Sequence, residues 1–203
     1  MRKRIVFATG NQGKIKEIRM IMEDSGYEVV SMKDAGIDPE IVENGATFEE
    51  NALIKAQTVA KYTKDIVMAD DSGLMVDALD GEPGIYSARY LGEDTPYSEK
   101  NADIIRRLTG LKGEARSARF ICAIAAVLPD GREITTSAAI EGVIGYEEKG
   151  SNGFGYDPIF FVPEYQKTTA ELSEEEKNQI SHRGKALRLM KEELKKYEDS
   201  GCK

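Results

Sequence analysis

Ile5-Val6-Phe7-Ala8-Thr9-Gly10-Asn11-Gln12-Gly13-Lys14 passes from an unbroken apolar run into a turn of small, polar and glycine residues. A short apolar run closed by a turn signal reads as a buried strand, here over residues 5–8. Behind the turn, Ile15, Ile18, Ile21 and Met22 recur at the spacing of one helix face, and that helix runs out near Ser25-Gly26. Strand, turn and helix in this order open an α/β fold, and the chain repeats the alternation. Residues 28–31 make a second short strand. Thr47-Phe48-Glu49-Glu50 sets a hydroxyl three places before a glutamate, the pattern of a capping box. It opens a helix whose Phe48, Ala52, Ala56, Val59 and Ala60 form an apolar face. A third buried strand over residues 66–69 ends in Asp70-Asp71-Ser72-Gly73.

Further along the alternation changes. Pro83-Gly84 marks a loop, and a helix follows from about 96 to 108, closed by Gly110. Residues 118–128 are apolar and partly β-branched; Pro129-Asp130-Gly131-Arg132 turns them into a second strand from 133 to about 141, forming a hairpin. Residues 159–162 add another strand. Ser173 and Glu176 form a second capping box before a final helix that carries Leu187, Met190, Leu194 and Tyr197 on one face. Strand–helix alternation followed by a hairpin gives an α/β fold with a mixed sheet, expected as a single domain over residues 1–203.

The 203 residues are enough for one well-buried domain and short for two. No apolar run approaches the ~18 residues of a membrane span. Met1-Arg2-Lys3-Arg4 is basic like the start of a signal peptide, but the apolar stretch behind it ends at Ala8, so a cytoplasmic protein is expected. A formal net charge of −8 argues against a non-specific nucleic-acid binder, which needs a basic stripe to displace phosphate counterions. It leaves room for a small anionic ligand, because a few Lys, Arg and backbone N–H groups can build a local positive pocket. Cys122 sits in an apolar run and reads as a small core residue, Cys202 lies in a polar tail, and no disulfide framework is implied.

Four segments carry candidate chemistry. A glycine-bearing turn between a buried strand and a helix suits an anion, since the helix N-terminus presents N–H groups and a positive dipole end. Lys14 adds a charge there, and Thr9 and Asn11 add polar side chains; a plain strand-to-helix turn accounts for the same Gly and Asn residues. The segment is not a Walker loop: Ile15 follows Lys14, so no hydroxyl is present to hold Mg²⁺. Asp70-Asp71-Ser72-Gly73 follows a strand, where ligands of open α/β sheets collect, and adjacent residues on extended chain point to opposite faces, giving the two Asp different jobs. Mg²⁺ on a nucleotide is held by one or two carboxylates, for which Glu43, Glu50 and Asp70/Asp71 are available; a solvated acidic turn or a helix cap is the alternative. At the base end, Gly153-Phe154-Gly155 offers an aromatic on a flexible platform, and Ser181-His182-Arg183-Gly184 holds the chain's single histidine beside an arginine, both able to donate to a ring carbonyl.

Taken in order, these segments resemble the inosine triphosphate pyrophosphatase family, which acts on noncanonical purine nucleoside triphosphates. The resemblance runs nearly end to end. It includes Ala8-Thr9-Gly10-Asn11 with Lys14 and Glu17, Thr47-Phe48-Glu49-Glu50-Asn51-Ala52 with Lys55-Ala56, and Asp70-Asp71-Ser72-Gly73. Pro83-Gly84-Ile85-Tyr86-Ser87-Ala88-Arg89-Tyr90, Gly153-Phe154-Gly155-Tyr156-Asp157-Pro158 and Ser181-His182-Arg183-Gly184 complete it. One departure is Gln166, where many relatives have Gly before the Lys.

The resemblance implies a homodimer, with an elongated mixed sheet flanked by helices and two lobes enclosing the active site in a cleft. It implies Mg²⁺-dependent hydrolysis of ITP, dITP and XTP to the monophosphate and pyrophosphate. Thr9, Gly10, Asn11, Gln12, Gly13 and Lys14 would hold phosphates with Lys55 assisting; Glu43 and Asp71 would hold metal; Asp71 would act as base and Ser72 would touch substrate. Phe154, Gly155, Tyr156, Asp157, Lys177, His182 and Arg183 would recognise the nucleotide. Two other readings stand beside this one: a pyrophosphatase for modified pyrimidine nucleotides, and a nucleotide sensor without turnover.

Overall fold

The strand that opens the chain is β1 (Lys3–Phe7), and it passes through a four-residue loop into α1 (Gln12–Met22). A single 3₁₀ turn at Glu23–Ser25 and Gly26 lead to β2 (Tyr27–Ser31). After a long loop come α2 (Phe48–Ala60) and β3 (Ile66–Val76). The computed structural model describes residues 3–200, so Met1 and Arg2 of the basic stretch and Cys202 of the polar tail lie outside the described residues.

β3 corrects the sequence reading in a way that matters for the site. It does not end at Asp70 but runs on through Asp70-Asp71-Ser72-Gly73 to Val76. Leu74 and Val76 behind the acidic pair are fully buried, so the apolar drive for a strand resumes. Both aspartates are buried as well, at 1 % and 8 % exposure, which removes the solvated-turn and helix-cap alternatives. The pair still lies just beyond the carboxyl end of a strand, that of β1, whose Phe7 pairs with Met68.

α3 (Tyr97–Arg107), β4 (Ser117–Val127) and β5 (Glu133–Ile144) follow, β5 running three residues past the expected end. β6 (Phe160–Val162) and β7 (Lys167–Thr168) complete a seven-stranded sheet in the order β2-β1-β3-β4-β5-β6-β7. β1 pairs in parallel with β2 and β3, while β6 pairs antiparallel with β5 and β7. The sheet is therefore mixed. In place of one final helix the chain has two, α4 (Glu174–Ile180) and α5 (His182–Asp199), because Ser181 adopts an extended backbone at ψ 152°. That break puts His182 and Arg183 in the first turn of α5.

The chain divides into two compact units. One takes the chain up to Asp71, Cys122–Ala138 and the chain from His182 onward; the other takes Ser72–Ile121 and Ala139–Ser181. The first has its own core, including Phe7, Ile18, Met68, Cys122, Leu187 and Leu194. The second has another, including Leu74, Ile104, Leu108, Ile159 and Phe160. Among the described residues no helix is long and apolar enough to cross a membrane.

The two capping boxes differ. Ser173 Oγ accepts from the Glu176 N–H at 3.1 Å and Glu176 Oε2 accepts from the Ser173 N–H at 2.9 Å, closing the full box. At α2, Thr47 Oγ1 accepts from the Glu50 N–H, but the Glu50 carboxylate turns one residue further back, to the Ala46 N–H. Ser173→Ala is expected to cost about 1 kcal/mol, read as a lowered urea midpoint with an unchanged slope; an unchanged midpoint would show that the cap is not stabilising α4.

Candidate active site

Within the first unit, the loop over residues 9–14 is shaped by its own side chains. Thr9 Oγ1 accepts from the Asn11 N–H at 3.2 Å, and Asn11 Oδ1 accepts from the Lys14 N–H at 3.1 Å as the N-cap of α1. Gly10, Asn11 and Gln12 are exposed, while Gly13 and Lys14 are half-buried. The Lys14 ammonium lies 3.0 Å from Asp70 Oδ2. The same oxygen receives the Arg183 guanidinium at 3.2 Å, and Arg183 also pairs with Glu17 on α1. Burial by itself would push the Asp70 carboxyl up, but Lys14, Arg183 and Lys55 outweigh it and hold the group well below the usual carboxylate range. Burial likewise works against the Arg183 charge, and Asp70 with Glu17 overcomes it, raising its pKa.

Asp71 points the other way and meets a different set. Lys55, on α2, places its ammonium 3.0 Å from Asp71 Oδ1 and 2.9 Å from Glu43 Oε2. Asn51, one helical turn before Lys55, donates from Nδ2 to Asp71 Oδ2 at 3.4 Å, and its Oδ1 accepts from the Gly45 N–H at 2.8 Å. Asn51 thereby ties the Glu43 loop to the β3 carboxylate. Burial moves the Asp71 pKa upward, Lys55 and Lys14 pull it down without cancelling the rise, and Glu43 adds to it. Burial also disfavours the Lys55 ammonium, but Asp71, Asp70 and Glu43 keep it protonated, with a raised pKa.

Glu43 and Asp71 thus converge on one cation. Two carboxylates meeting at a common cation fit the manner in which Mg²⁺ is held beside a nucleotide, with waters and phosphate oxygens filling the remaining positions. Among the described residues no group of three or more His, Cys, Asp or Glu is arranged to hold a metal by itself. A metal here would take the rest of its shell from water and substrate.

The second unit carries the aromatic loop. Asp157, 3 % exposed, accepts from the Phe154 N–H at 2.8 Å and from the Lys177 ammonium at 2.7 Å through Oδ2, and from the Thr169 hydroxyl at 2.8 Å through Oδ1. Lys177 lies 5.0 Å from the centre of the half-buried Phe154 ring, in cation–π contact. The loop expected as a flexible platform is therefore pinned from below. Tyr156 is 4 % exposed, stacks edge-on against Tyr97 and donates its hydroxyl hydrogen to the Ser87 carbonyl, which makes it a support for the loop. The Phe154 N–H is committed to Asp157.

A profile of the Ham1 family matches residues 5–193 of this sequence. The chain belongs to the Ham1 family. It is 50 % identical over 188 residues to a Bacillus licheniformis protein called dITP/XTP pyrophosphatase, covering 93 % of this chain and 96 % of that one. A Clostridium perfringens protein of the same name is 47 % identical, with 95 % of this chain and 98 % of that one covered. The solved Staphylococcus aureus Ham1 protein superposes with a TM-score of 0.85 at 43 % identity, over 96 % of this chain and 100 % of that one. The Coxiella burnetii HAM1 protein gives 0.85 at 39 %, over 96 % and 99 %.

Nine of the residues named from the sequence fall into three clusters. Lys14, Asp70 and Arg183 meet with Glu17; Glu43, Lys55 and Asp71 meet with Asn51; Phe154, Asp157 and Lys177 meet with Thr169. Arg183, grouped by sequence with the aromatic loop, has its guanidinium on Asp70 and Glu17. His182 is 7 % exposed at the start of α5, and Ser72 is half-buried on β3. Glu17, Asn51 and Thr169 had been given no role. For Asn51 a signal existed: with Lys55 it forms a polar i, i+4 pair inside the stripe of Phe48, Ala52, Ala56 and Val59.

Gly153 decides whether the third cluster can form. It sits at φ +74°, and a Cβ there would fall 2.2 Å from Asp157 Oδ2 and 3.0 Å from Lys177 Nζ. Gly110, at φ +90° with nothing within 4 Å, isolates the backbone effect alone. Gly110→Ala is expected to cost about 1–2 kcal/mol, and Gly153→Ala clearly more, by displacing the buried ion pair. Equal losses in chemical denaturation would show that the loop adapts and that the pair does not depend on Gly153.

Proposed function

We propose that this chain is a Mg²⁺-dependent nucleoside-triphosphate pyrophosphatase that hydrolyses ITP, dITP and XTP to the monophosphate and pyrophosphate, as a cytoplasmic homodimer acting on small nucleotides. Relatives at 45–50 % identity carry the name dITP/XTP pyrophosphatase, which supports the substrate class. The observation that carries the mechanism is the division between neighbouring carboxylates. Asp70 is locked as an anion between Lys14 and Arg183, whereas Asp71 has its proton affinity raised by burial. Of the two, Asp71 is the one outside the Lys14–Arg183 clamp and left to face the attacking water as base, beside the metal that would acidify that water.

In this reading the oxygen of a water attacks the α-phosphorus, and the bond from that phosphorus to the bridging oxygen breaks. Pyrophosphate leaves with the electron pair, and the water proton passes toward the Asp71 carboxylate. Residues 9–14 and Lys14 in particular bind the phosphates, Lys55 adds charge beside the reacting group, and Ser72 contacts substrate. Glu43 and Asp71 would hold the Mg²⁺, which when bound would supply charge for the phosphate oxygens and acidify water. Phe154 stacks on the base, with Asp157 and Lys177 fixing its ring, and Arg183 orients Asp70 and through it Lys14. His182 or the Gly155 N–H donates to the carbonyl at purine position 6, where adenine presents another donor.

Product analysis on a panel of triphosphates tests the reading. ITP is expected to give IMP and pyrophosphate with kcat/KM roughly 10⁴-fold above that of ATP, the discrimination available to a buried hydrogen bond. Equal values for ITP and ATP defeat it, and preferential cleavage of modified pyrimidine triphosphates replaces it with the pyrimidine reading. Asp71→Asn is expected to lower kcat by at least about 100-fold, and excess EDTA to stop turnover that Mg²⁺ restores and Ca²⁺ restores poorly. Full activity in EDTA would remove the metal from the mechanism, and nucleotide binding without any turnover would make the chain a sensor.

A further inference from the structure

β5, β6 and β7 set three side chains in one row. Val143 pairs with Phe161, and Phe161 with Thr168, across antiparallel ladders. Directly opposed residues on neighbouring strands share a face of the sheet. With Arg116, Tyr146, Glu147 and Lys149 they line a cavity of about 290 Å³ in the second unit, where Lys149 pairs with Glu147 at 3.2 Å. None of these residues belongs to the three clusters described above.

Arg116 gives the cavity its chemistry. The residue is 2 % exposed, and its guanidinium donates to three main-chain carbonyls, those of Leu108, Ile144 and Gly145, at 2.6–2.9 Å. A guanidinium has five N–H donors, so the carbonyls do not exhaust it. The Tyr146 ring covers the cation with its centre 4.4 Å away, while remaining 63 % exposed itself. Among the described residues no carboxylate pairs with Arg116, and burial lowers its pKa, with only Tyr146 opposing. Buried charges are ordinarily matched by an opposite charge, and this one is met by carbonyl dipoles and a ring.

We propose that the cavity is a second binding site, for a small planar organic anion of the aromatic-carboxylate class. The carboxylate answers the charge of Arg116, which no carboxylate among the described residues matches, whereas Lys149 is already paired with Glu147. The flat body lies on the row of Val143, Phe161 and Thr168 beside Tyr146. The cavity volume admits one or two fused rings and excludes a nucleoside triphosphate.

Titration of the full chain with 2-naphthoate, followed by calorimetry and amide chemical shifts, tests this. One saturable site is expected, with shifts at residues 113–116, 143–149, 161 and 168, and with the neutral 2-naphthamide binding at least roughly tenfold more weakly. Tyr146→Ala, a truncation at an exposed position, is expected to weaken naphthoate binding roughly fivefold while leaving ITP hydrolysis unchanged. Arg116→Met leaves three carbonyls without donors and can fail to fold, so Tyr146→Ala and the naphthamide comparison carry the test. No saturable binding, equal affinity for the amide, an undiminished Tyr146→Ala, or shifts confined to residues 9–14, 70–72 and 154–157 would overturn the proposal. Binding is read without nucleotide, so its failure is distinct from failure of the hydrolytic reading.

Discussion

Asp70 keeps a full negative charge at a position 1 % exposed to solvent, and the first compact unit is organised around holding that charge. A carboxylate removed from water must be matched by opposite charge or take up a proton. Here Lys14 comes from the start of α1, Arg183 from the first turn of α5, and Glu17 on α1 balances the arginine's remaining charge. One carboxylate on β3 therefore fixes two helices against the strand. The pairing is demanding: deleting one member of a buried ion pair costs about 3–5 kcal/mol because the partner is stranded. The same burial and the same Asp70 push the Cys122 thiol up to about 12, so this core cysteine is an inert apolar filler.

The consequence for chemistry lies one residue further along. Because β3 stays extended through the acidic pair, Asp71 faces away from the Asp70 cluster and meets α2 instead. Strand alternation turns two identical residues into a structural anion and a basic carboxylate of raised proton affinity. The opposite orientation of the two aspartates was expected from the sequence; the continuation of the strand to Val76 was not.

Most of the fold was legible because its signals are local. The first strand, the Asn11-capped helix behind it, the Asp130-Gly131 turn and the Ser173–Glu176 box each follow from residues a few places apart. What escaped was set by distant partners. Leu74 and Val76 carried the apolar signal for a longer β3, but the burial of Asp70 within it depends on Arg183, 113 residues away, balancing its charge. The break at Ser181 leaves no strong mark, since neither glycine nor proline stands there. The candidate residues were named through resemblance, and their grouping was not legible: Arg183 joins Asp70 and Glu17, and Tyr156 turns its hydroxyl to Ser87.

Charge balance within the first unit bears on what can bind there. Lys14, Lys55 and Arg183 face Glu17, Glu43, Asp70 and Asp71, so the carboxylates slightly outnumber the cations. Each lysine is already ordered against a carboxylate, which removes the rotamer entropy that a ligand would otherwise have to overcome. Yet the clusters offer a free triphosphate no net positive field, and the chain's charge of −8 offers none at long range. In the proposed mechanism a nucleotide arriving with a divalent cation would change the sum: the cation would meet Glu43 and Asp71, and Lys55 would be released from them toward phosphate oxygens. The acidic balance of the site, which alone reads as hostile to a polyanion, would under that mechanism favour the metal-complexed nucleotide over the bare one.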